Sequence, residues 1–193
     1  TGINTAQNNT FLDSSSNNFT ITRNGNATQG SFSPYGNLWS NYFDGSSYLT
    51  VPDNAALTLD GNFTIEFWVN LTNTALAGLV QHRNGGAWSS GDFQIAWYTS
   101  KVQFYTPSFS LDTNPLALNS WNHIAICRSG SSLSIYANGI LANSVTDSTS
   151  YTGHGGVFRI GELYDGTHYY ANGYISNLRV VKGTAVYTSN FTP

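Results

Sequence analysis

The chain has 193 residues, of which only 9% are charged, and its formal net charge is −3, so it offers no basic face for nucleic-acid phosphates or for an anionic membrane. Strong helix formers are scarce, because Met is absent, Lys occurs only at positions 101 and 182, and Glu occurs only at 66 and 162. Aromatic residues reach 15%, which supplies a core, so the composition favours an ordered all-β protein.

Alternation of apolar and polar residues marks the predicted strands. The clearest run is 61–71, in which every second residue from Phe63 to Leu71 is apolar and predicts one buried strand face. No uninterrupted apolar run exceeds four residues, whereas a membrane helix needs about 20. We therefore expect no membrane insertion. Shorter alternating runs follow along the chain: 93–98, 101–105, 121–128, 133–136, 157–160 and 174–181.

Turn residues separate these runs. Asp44-Gly45 and Asn138-Gly139 lie between strand-like segments, and such pairs supply the positive φ angles that a tight hairpin needs. No linker or internal repeat divides the chain, so residues 1–193 are predicted to form one domain. Because turns recur about every 8 to 15 residues, we expect a sandwich of two packed antiparallel sheets.

Cys127 is the only cysteine, so that no disulfide can form within the chain. In its strand, Cys127 shares one face with Ala125, opposite Ile124 and Ile126, and burial is the common state of a free cysteine. We therefore expect a small buried residue here.

Several segments of the chain are similar to those of one known family. They are 42–52, 63–69, 121–126, 133–139 and 173–180, together with 9–13, 30–36 and 180–193 for one subgroup of that family. On these segments, the chain resembles the laminin-G-like, concanavalin A-type jelly rolls, and within them the modules of bacteriophage and marine viral structural proteins. This resemblance implies a two-sheet antiparallel jelly-roll sandwich, and it implies an extracellular or virion-surface location.

The chain starts at Thr1 without a secretion-signal pattern, so we expect a piece of a longer protein.

No predicted strand of the chain carries the pair of glutamates that is typical of glycoside hydrolases with this fold. Glycoside hydrolases built on this jelly roll resemble one another in two glutamates on one strand, and retaining hydrolysis needs two carboxylates about 5 Å apart. Here Glu66 has no second glutamate near it, and Glu162 lies far away in sequence. A pairing of Glu66 with Asp92 or Asp165 through space stays open. We expect no enzyme.

Two loop segments, 82–92 and 162–170, combine aromatic with polar side chains. Saccharide recognition needs flat aromatic surface for the sugar ring and planar polar groups for its hydroxyls. The aromatics could instead pack along the rim of the sandwich. Other aromatics are assigned to the fold, with Trp97 in the core. The predicted glycan-binding residues are Arg83, Trp88, Asp92, Tyr98, Tyr105, Tyr164, Asp165, His168 and Tyr169.

Calcium is the cofactor that the family resemblance implies, because jelly-roll loops can bring carboxylates and carbonyls together around one ion. Asp44, Asp53 and Glu162 are the candidate ligands, from three separate loops. The alternative for Asp44 is to cap the turn before Gly45.

The sequence thus predicts a non-catalytic, lectin-like module of a larger extracellular or virion protein, with a polysaccharide or cell-surface glycan as partner. The alternative is a structural or decoration domain of a phage tail or capsid, which packs on other virion subunits and binds no sugar.

Overall fold

The computed structural model describes residues 8–36 and 38–193. Within them, short strands alternate with turns, and the only helical segments are the single 3₁₀ turns Ala55–Leu57 and Gly153–Gly155. The strands are β1 (Thr22–Asn24), β2 (Thr28–Gly30), β3 (Ser40–Asp44), β4 (Tyr48–Val51), β5 (Phe63–Leu71), β6 (Ala77–His82), β7 (Phe93–Tyr98), β8 (Lys101–Tyr105), β9 (Ser110–Asp112), β10 (Asn122–Ser129), β11 (Ser132–Ala137), β12 (Ile140–Thr146), β13 (Phe158–Ile160), β14 (Glu162–Tyr164), β15 (His168–Tyr170) and β16 (Asn172–Lys182).

Fourteen of these strands form two seven-stranded sheets. The first sheet has the order β1-β4-β13-β6-β7-β8-β9, and the second has the order β12-β11-β10-β5-β16-β3-β2. β14 and β15 form a separate two-stranded hairpin. The predicted all-β, two-sheet antiparallel sandwich is confirmed. No helix in the described part of the chain is long and apolar enough to cross a membrane.

The core lies between the two sheets and is built by strand alternation. Phe63, Ile65, Phe67 and Val69 of β5 are fully buried, as the sequence predicts. In the register of β5 with β10, Phe67 lies opposite Ile124, so that both strands turn their apolar side chains to the same interior. Removing this apolar surface from water is the main term that stabilises the sandwich.

The outer face of the second sheet is covered as well. The C-terminal residues 184–193 run across it, with Val186 N donating to Thr64 Oγ1 at 2.8 Å and Phe191 N donating to Gly139 O at 2.9 Å. Cys127 is buried, as predicted, but it lies in a small second cluster beneath this tail and outside the central core. The tail therefore acts as a third layer over part of the sandwich.

The two predicted tight turns differ in the structure. Asn138 and Gly139 have φ angles of 50° and 77° and join β11 to β12 in a hairpin, as predicted. Asp44 and Gly45 instead connect β3 of the second sheet to β4 of the first, so the prediction of a hairpin there is wrong. The Asp44 side chain turns the chain locally, because its Oδ1 accepts hydrogen bonds from Ser46 N and Oγ.

The β14–β15 hairpin lies against the outside of the first sheet, over β6. A side chain at Gly78 of β6 would collide with the backbone of Glu162 and Leu163, so only glycine permits this close approach. Tyr164 N donates to Gln81 Oε1 at 3.0 Å, which attaches the hairpin to β6. β6 also leads directly into residues 83–92, so the two predicted binding segments become neighbours.

Candidate functional site

Arg83 organises the loop between β6 and β7. Its side chain is only 2% exposed, and its guanidinium lies 4.2 Å from the centroid of the Trp88 ring system. Its Nη2 donates to Gly86 O, and its Nη1 donates to Tyr164 O at 3.3 Å. One buried cation therefore supports the indole and ties the loop to the β14–β15 hairpin.

Trp88 meets Tyr105 on the outer side of the first sheet. Their ring centroids are 5.0 Å apart with an interplanar angle of 69°, and Tyr105 is held in register opposite Gln94. Tyr98 lies on the same strand as Gln94 but four residues further on, about 13 Å away at the rise of a β-strand. Tyr98 is 51% exposed and stands apart from this group, so its predicted membership of the site is corrected.

Alternation within the hairpin sorts its aromatic side chains between two faces. Tyr164 pairs with His168, and Leu163 pairs with Tyr169, so Tyr169 lies on the face opposite Tyr164. The ring of His168 lies 4.7 Å from Tyr164 and stacks on Tyr170 at 5.4 Å and 8°. Tyr170 therefore takes the place that was predicted for Tyr169. We name Trp88, Tyr105, Tyr164, His168 and Tyr170 the aromatic platform.

Two residues at the edge of the platform were missed from the sequence. Tyr48 lies 6.0 Å from Tyr170, and the Arg159 guanidinium lies 5.8 Å from the Tyr48 ring and 5.2 Å from the Tyr164 ring. Tyr48 and Arg159 alternate with apolar, buried residues in β4 and β13. This alternation in the sequence could have predicted that their side chains point outward. Arg159 is therefore packed between two tyrosines at this edge, with its side chain only 17% exposed.

Glu162 is fully buried beneath the platform. Its Oε2 accepts a hydrogen bond from Arg159 Nη1 at 2.7 Å, and its Oε1 contacts His168 Nδ1. The carboxylate therefore fixes both the cation and the imidazole of the hairpin. Asp165, by contrast, is exposed at the hairpin turn, where its Oδ1 accepts from Thr167 N at 3.1 Å.

Asp92 and Arg83 support the site from within, which corrects their predicted role in bonding to a ligand. Asp92 is fully buried; its Oδ2 accepts from Ser89 N at 2.8 Å, and its Oδ1 lies 3.0 Å from His154 Nδ1. Both charged side chains turn inward because the loop has backbone polar groups that need partners away from water.

The predicted calcium ligands do not come together. Asp44 accepts from Ser46, Asp53 Oδ1 lies 3.3 Å from His82 Nε2, and Glu162 is held by its two partners in the hairpin. In residues 8–36 and 38–193, no group of three or more His, Cys, Asp or Glu side chains could hold a metal ion. The prediction of a calcium site formed by these three carboxylates is therefore wrong, because each carboxylate is engaged by a neighbouring group in its own part of the fold.

Glu66 lies on the outer face of the second sheet, whereas Asp92 and Asp165 belong to the first sheet and its hairpin. Its Oε1 accepts from Arg179 Nε at 2.6 Å, and its Oε2 lies 3.3 Å from His123 Nε2. Burial alone would raise the pKa of Glu66, but hydrogen bonds from His123, Arg179 and Tyr187 lower the pKa below its ordinary value. Because Glu66 lies on the outer face of the other sheet from Asp92 and Asp165, the alternative of a catalytic pair between Glu66 and either aspartate is wrong.

Comparison with known proteins gives one family and a set of structural relatives. The family model for the "Concanavalin A-like lectin/glucanases superfamily" matches residues 43–185. A search of curated protein sequences finds no match.

The structural relatives include toxin and polysaccharide-degrading proteins. The chain is similar to the botulinum neurotoxin serotype D/C binding domain, with a TM-score of 0.64 and 17% identity over 89% of this chain and 46% of that chain. It is also similar to domain 4 of AbnA, an extracellular arabinanase from Geobacillus stearothermophilus in complex with arabinotriose, with a TM-score of 0.62 and 18% identity over 88% and 84% of the two chains. The chain spans about half the length of the toxin domains, and at these identities the likeness shows the fold alone.

Proposed function

Because the chain belongs to the concanavalin A-like lectin/glucanases superfamily, we propose that it is a non-catalytic carbohydrate-binding module whose ligand stacks on the aromatic platform. The family resemblance read from the sequence is thereby confirmed, whereas the likeness to phage and marine viral modules stays a prediction. We place the module in a larger extracellular or virion protein, with a polysaccharide or cell-surface glycan as its partner.

The observation that carries this proposal is the platform itself. Trp88 packs on Tyr105, and His168 packs between Tyr164 and Tyr170. The buried Arg83 joins the two groups, because it lies over the Trp88 ring and donates to Tyr164 O, and the buried Glu162 holds His168. Rings fixed in this way lose little conformational freedom when a ligand binds. Aromatic faces match the apolar face of a sugar ring, and the tyrosine hydroxyls and imidazole offer partners for its hydroxyls.

The structural relatives support a saccharide as the ligand class. Domain 4 of AbnA was solved with arabinotriose, and one of the toxin structures concerns an interaction with two ganglioside molecules. Arabinotriose is therefore the first oligosaccharide to test, and the platform is the place where we expect it to bind.

Affinity electrophoresis through gels that contain a neutral polysaccharide tests the site. We expect at least one polysaccharide to retard the wild type, and we expect Trp88→Ala to remove the retardation. Tyr98→Ala is the matched control, because it removes an exposed ring from the same sheet outside the platform. Equal retardation of Trp88→Ala and the wild type would show that the aromatic platform is not the binding site.

The absence of catalysis is part of the proposal. Glu66 is engaged by Arg179 and His123, and the two carboxylates considered as its partners for retaining hydrolysis, Asp92 and Asp165, belong to the first sheet and its hairpin. Incubation with β-glucans should release no reducing sugar. Release that disappears in Glu66→Gln would contradict this expectation.

A structural role in a virion is the second candidate, and exposed apolar side chains favour it. Leu12, Phe32 and Leu38 are 75%, 51% and 47% exposed. A module that packs through them should form a stable oligomer in light scattering and ignore every polysaccharide. A monomer that is retarded by a polysaccharide favours the lectin.

A further inference from the structure

A second concave surface lies on the other side of the sandwich from the aromatic platform. It is a cleft of about 990 Å³, at the upper end of the usual range for ligand sites, and it extends from the outer face of the second sheet to buried apolar side chains of β4 and β13 between the sheets. β3 accompanies β16 only over Asn172–Ile175, and the cleft runs beside the remainder of β16, at Asn177 and Arg179. N-terminal residues such as Asp13 and Asn17 form the facing wall.

A buried carboxylate forms the polar floor of the cleft. Glu66 accepts hydrogen bonds from Arg179 at Oε1 and contacts His123 at Oε2, so its own oxygens are occupied. The Arg179 side chain is nevertheless 54% exposed, and it uses Nε and Nη2 on Glu66. Within residues 8–36 and 38–193, no hydrogen bond engages its Nη1, which can therefore donate at the surface of the cleft. The Tyr187 hydroxyl lies on the same floor.

An aromatic wall rises beside this floor. Trp68 is half-buried, and its Nε1 donates to the Tyr35 hydroxyl at 2.8 Å. The Tyr35 ring stands edge-on to the indole, at 5.6 Å and 81°, and Tyr35 is 43% exposed. His123 packs against the other side of Trp68 at 5.1 Å. These contacts hold the indole and leave part of it open to a ligand.

The charge of the lining selects the class of ligand. Among the described residues that line the cleft, the ionised side chains are Asp13, Glu66 and Arg179, which sum to −1 when His123 is neutral. The Asp13 carboxylate is engaged by Ser15 and Phe19 N–H groups at 2.9 and 2.8 Å. No surplus of positive charge is available for an anion. The other polar lining groups are mostly hydroxyls, amides and indole N–H groups, and about half of the lining residues are apolar. Such a lining suits a neutral molecule that has both hydroxyls and apolar faces, as a saccharide does.

We propose that this cleft is a second binding site, which takes a neutral oligosaccharide that packs on Trp68 and Tyr35 and accepts a hydrogen bond from Arg179. The site stands on its own geometry and does not depend on the aromatic platform. A module with one sugar site on each face of the sandwich can bridge two chains of a polysaccharide, or raise its avidity by holding one chain twice.

Two-dimensional ¹H–¹⁵N NMR tests the proposal, because the indole N–H signals of Trp68 and Trp88 report on the two sites separately. The probes are arabinotriose, cellotriose and maltotriose, with 3′-sialyllactose as an anionic comparison. We expect at least one neutral trisaccharide to shift the Trp68 signal to saturation, in the wild type and in Trp88→Ala alike. Tyr35→Ala and Arg179→Met should each weaken this titration at least fivefold, and Tyr35→Ala removes a partly exposed ring together with the hydroxyl that accepts from Trp68 Nε1.

Three results would overturn the proposal. The first is a Trp68 signal that stays in place at 20 mM of every neutral trisaccharide, and the second is a stronger response to 3′-sialyllactose than to any neutral sugar. The third is loss of the Trp68 response in Trp88→Ala, which would mean a single site. A Trp68 response without any Trp88 response would support the cleft and count against the platform.

Discussion

At the scale of single residues, buried charged side chains organise the aromatic platform. Arg83 and Asp92 hold the loop, and Glu162 holds Arg159 and His168 of the hairpin. The sequence placed Arg83 and Asp92 among ligand contacts because residue type shows that a group is polar and cannot show which way it turns. Their orientation depends on backbone groups that only the folded loop brings near.

Glu162 gives the sharpest test of this organisation. Glu162→Gln removes a fully buried charge and leaves the Arg159 guanidinium without its counter-ion, so we expect a loss of about 3 kcal/mol in the free energy of unfolding. Urea denaturation measures the loss. Asp165→Asn is the control, since it neutralises an exposed carboxylate of the same hairpin and should cost less than about 0.5 kcal/mol. Similar costs for both variants would show that Glu162 does not organise the hairpin.

His82 predicts a pH dependence of stability. Its side chain is fully buried, and burial lowers its pKa below the ordinary value of 6.5 despite a hydrogen bond with Asp53. The unfolded chain therefore binds a proton more readily than the folded one. The contribution of neutral His82 to the free energy of unfolding should have its full value above pH 6.5. As the pH falls from 6.5 through the lower pKa of the folded state, the free energy of unfolding should decrease by up to about 1.4 kcal/mol per pH unit.

Denaturation of His82→Gln between pH 7 and pH 5 checks this expectation, and the variant should lose most of the slope whatever its absolute stability. His154→Gln controls for the loss of a histidine as such, because its ring is partly exposed. A slope in His82→Gln as steep as that of the wild type would assign the pH dependence to other groups.

At the scale of elements, strands whose sequences alternate apolar and polar residues were predicted well, even where both faces are covered, as in β5 and β10, whereas strands without that alternation, such as β6 and β12, were missed. β5, β7, β8, β10 and β11 show the expected alternation. β6 is buried along its whole length, because the core covers one face and the β14–β15 hairpin covers the other, so no period of two is visible in its sequence. Four of the five platform residues were predicted from the sequence, but only the folded hairpin over β6 shows that they lie together and that Tyr170 replaces Tyr169.

The C-terminal tail is a second element that local sequence could not place. Phe191 stacks on Tyr187 at 3.5 Å and packs on Tyr136 of β11, and its carbonyl oxygen lies where a Cβ of Gly139 would be. The contacts of Phe191 with Tyr136 and Gly139 join residues that are far apart in the chain. Neither periodicity nor turn chemistry encodes such pairs.

Gly139→Ala tests the attachment of the tail. The new Cβ would collide with the Phe191 backbone, and φ is 77°, so we expect a loss of about 3 kcal/mol or more and faster modification of Cys127 by a thiol reagent. Gly130→Ala is the matched control, because φ is 60° there and no atom lies within 4 Å of the added carbon. That variant should lose only about 1 to 2 kcal/mol. Equal losses would show that the tail is not held at Gly139.

At the scale of the whole molecule, the sandwich presents a different surface on each side. The first sheet carries the aromatic platform, and the second carries the tail and the cleft above Glu66. Composition and alternation predicted the two sheets and their shared core, because burial of apolar faces is a property of each strand. The surfaces could not be predicted to the same degree, since they arise where distant loops meet.

The central claim is that this fold binds carbohydrate through the aromatic platform. Isothermal titration calorimetry with arabinotriose and other neutral oligosaccharides tests it most directly. We predict that at least one of them binds the wild type with a dissociation constant between about 10 μM and 1 mM, as suits an exposed aromatic site, and that Trp88→Ala weakens this binding at least tenfold. The absence of binding to every oligosaccharide, or equal affinity in Trp88→Ala and the wild type, would contradict the claim.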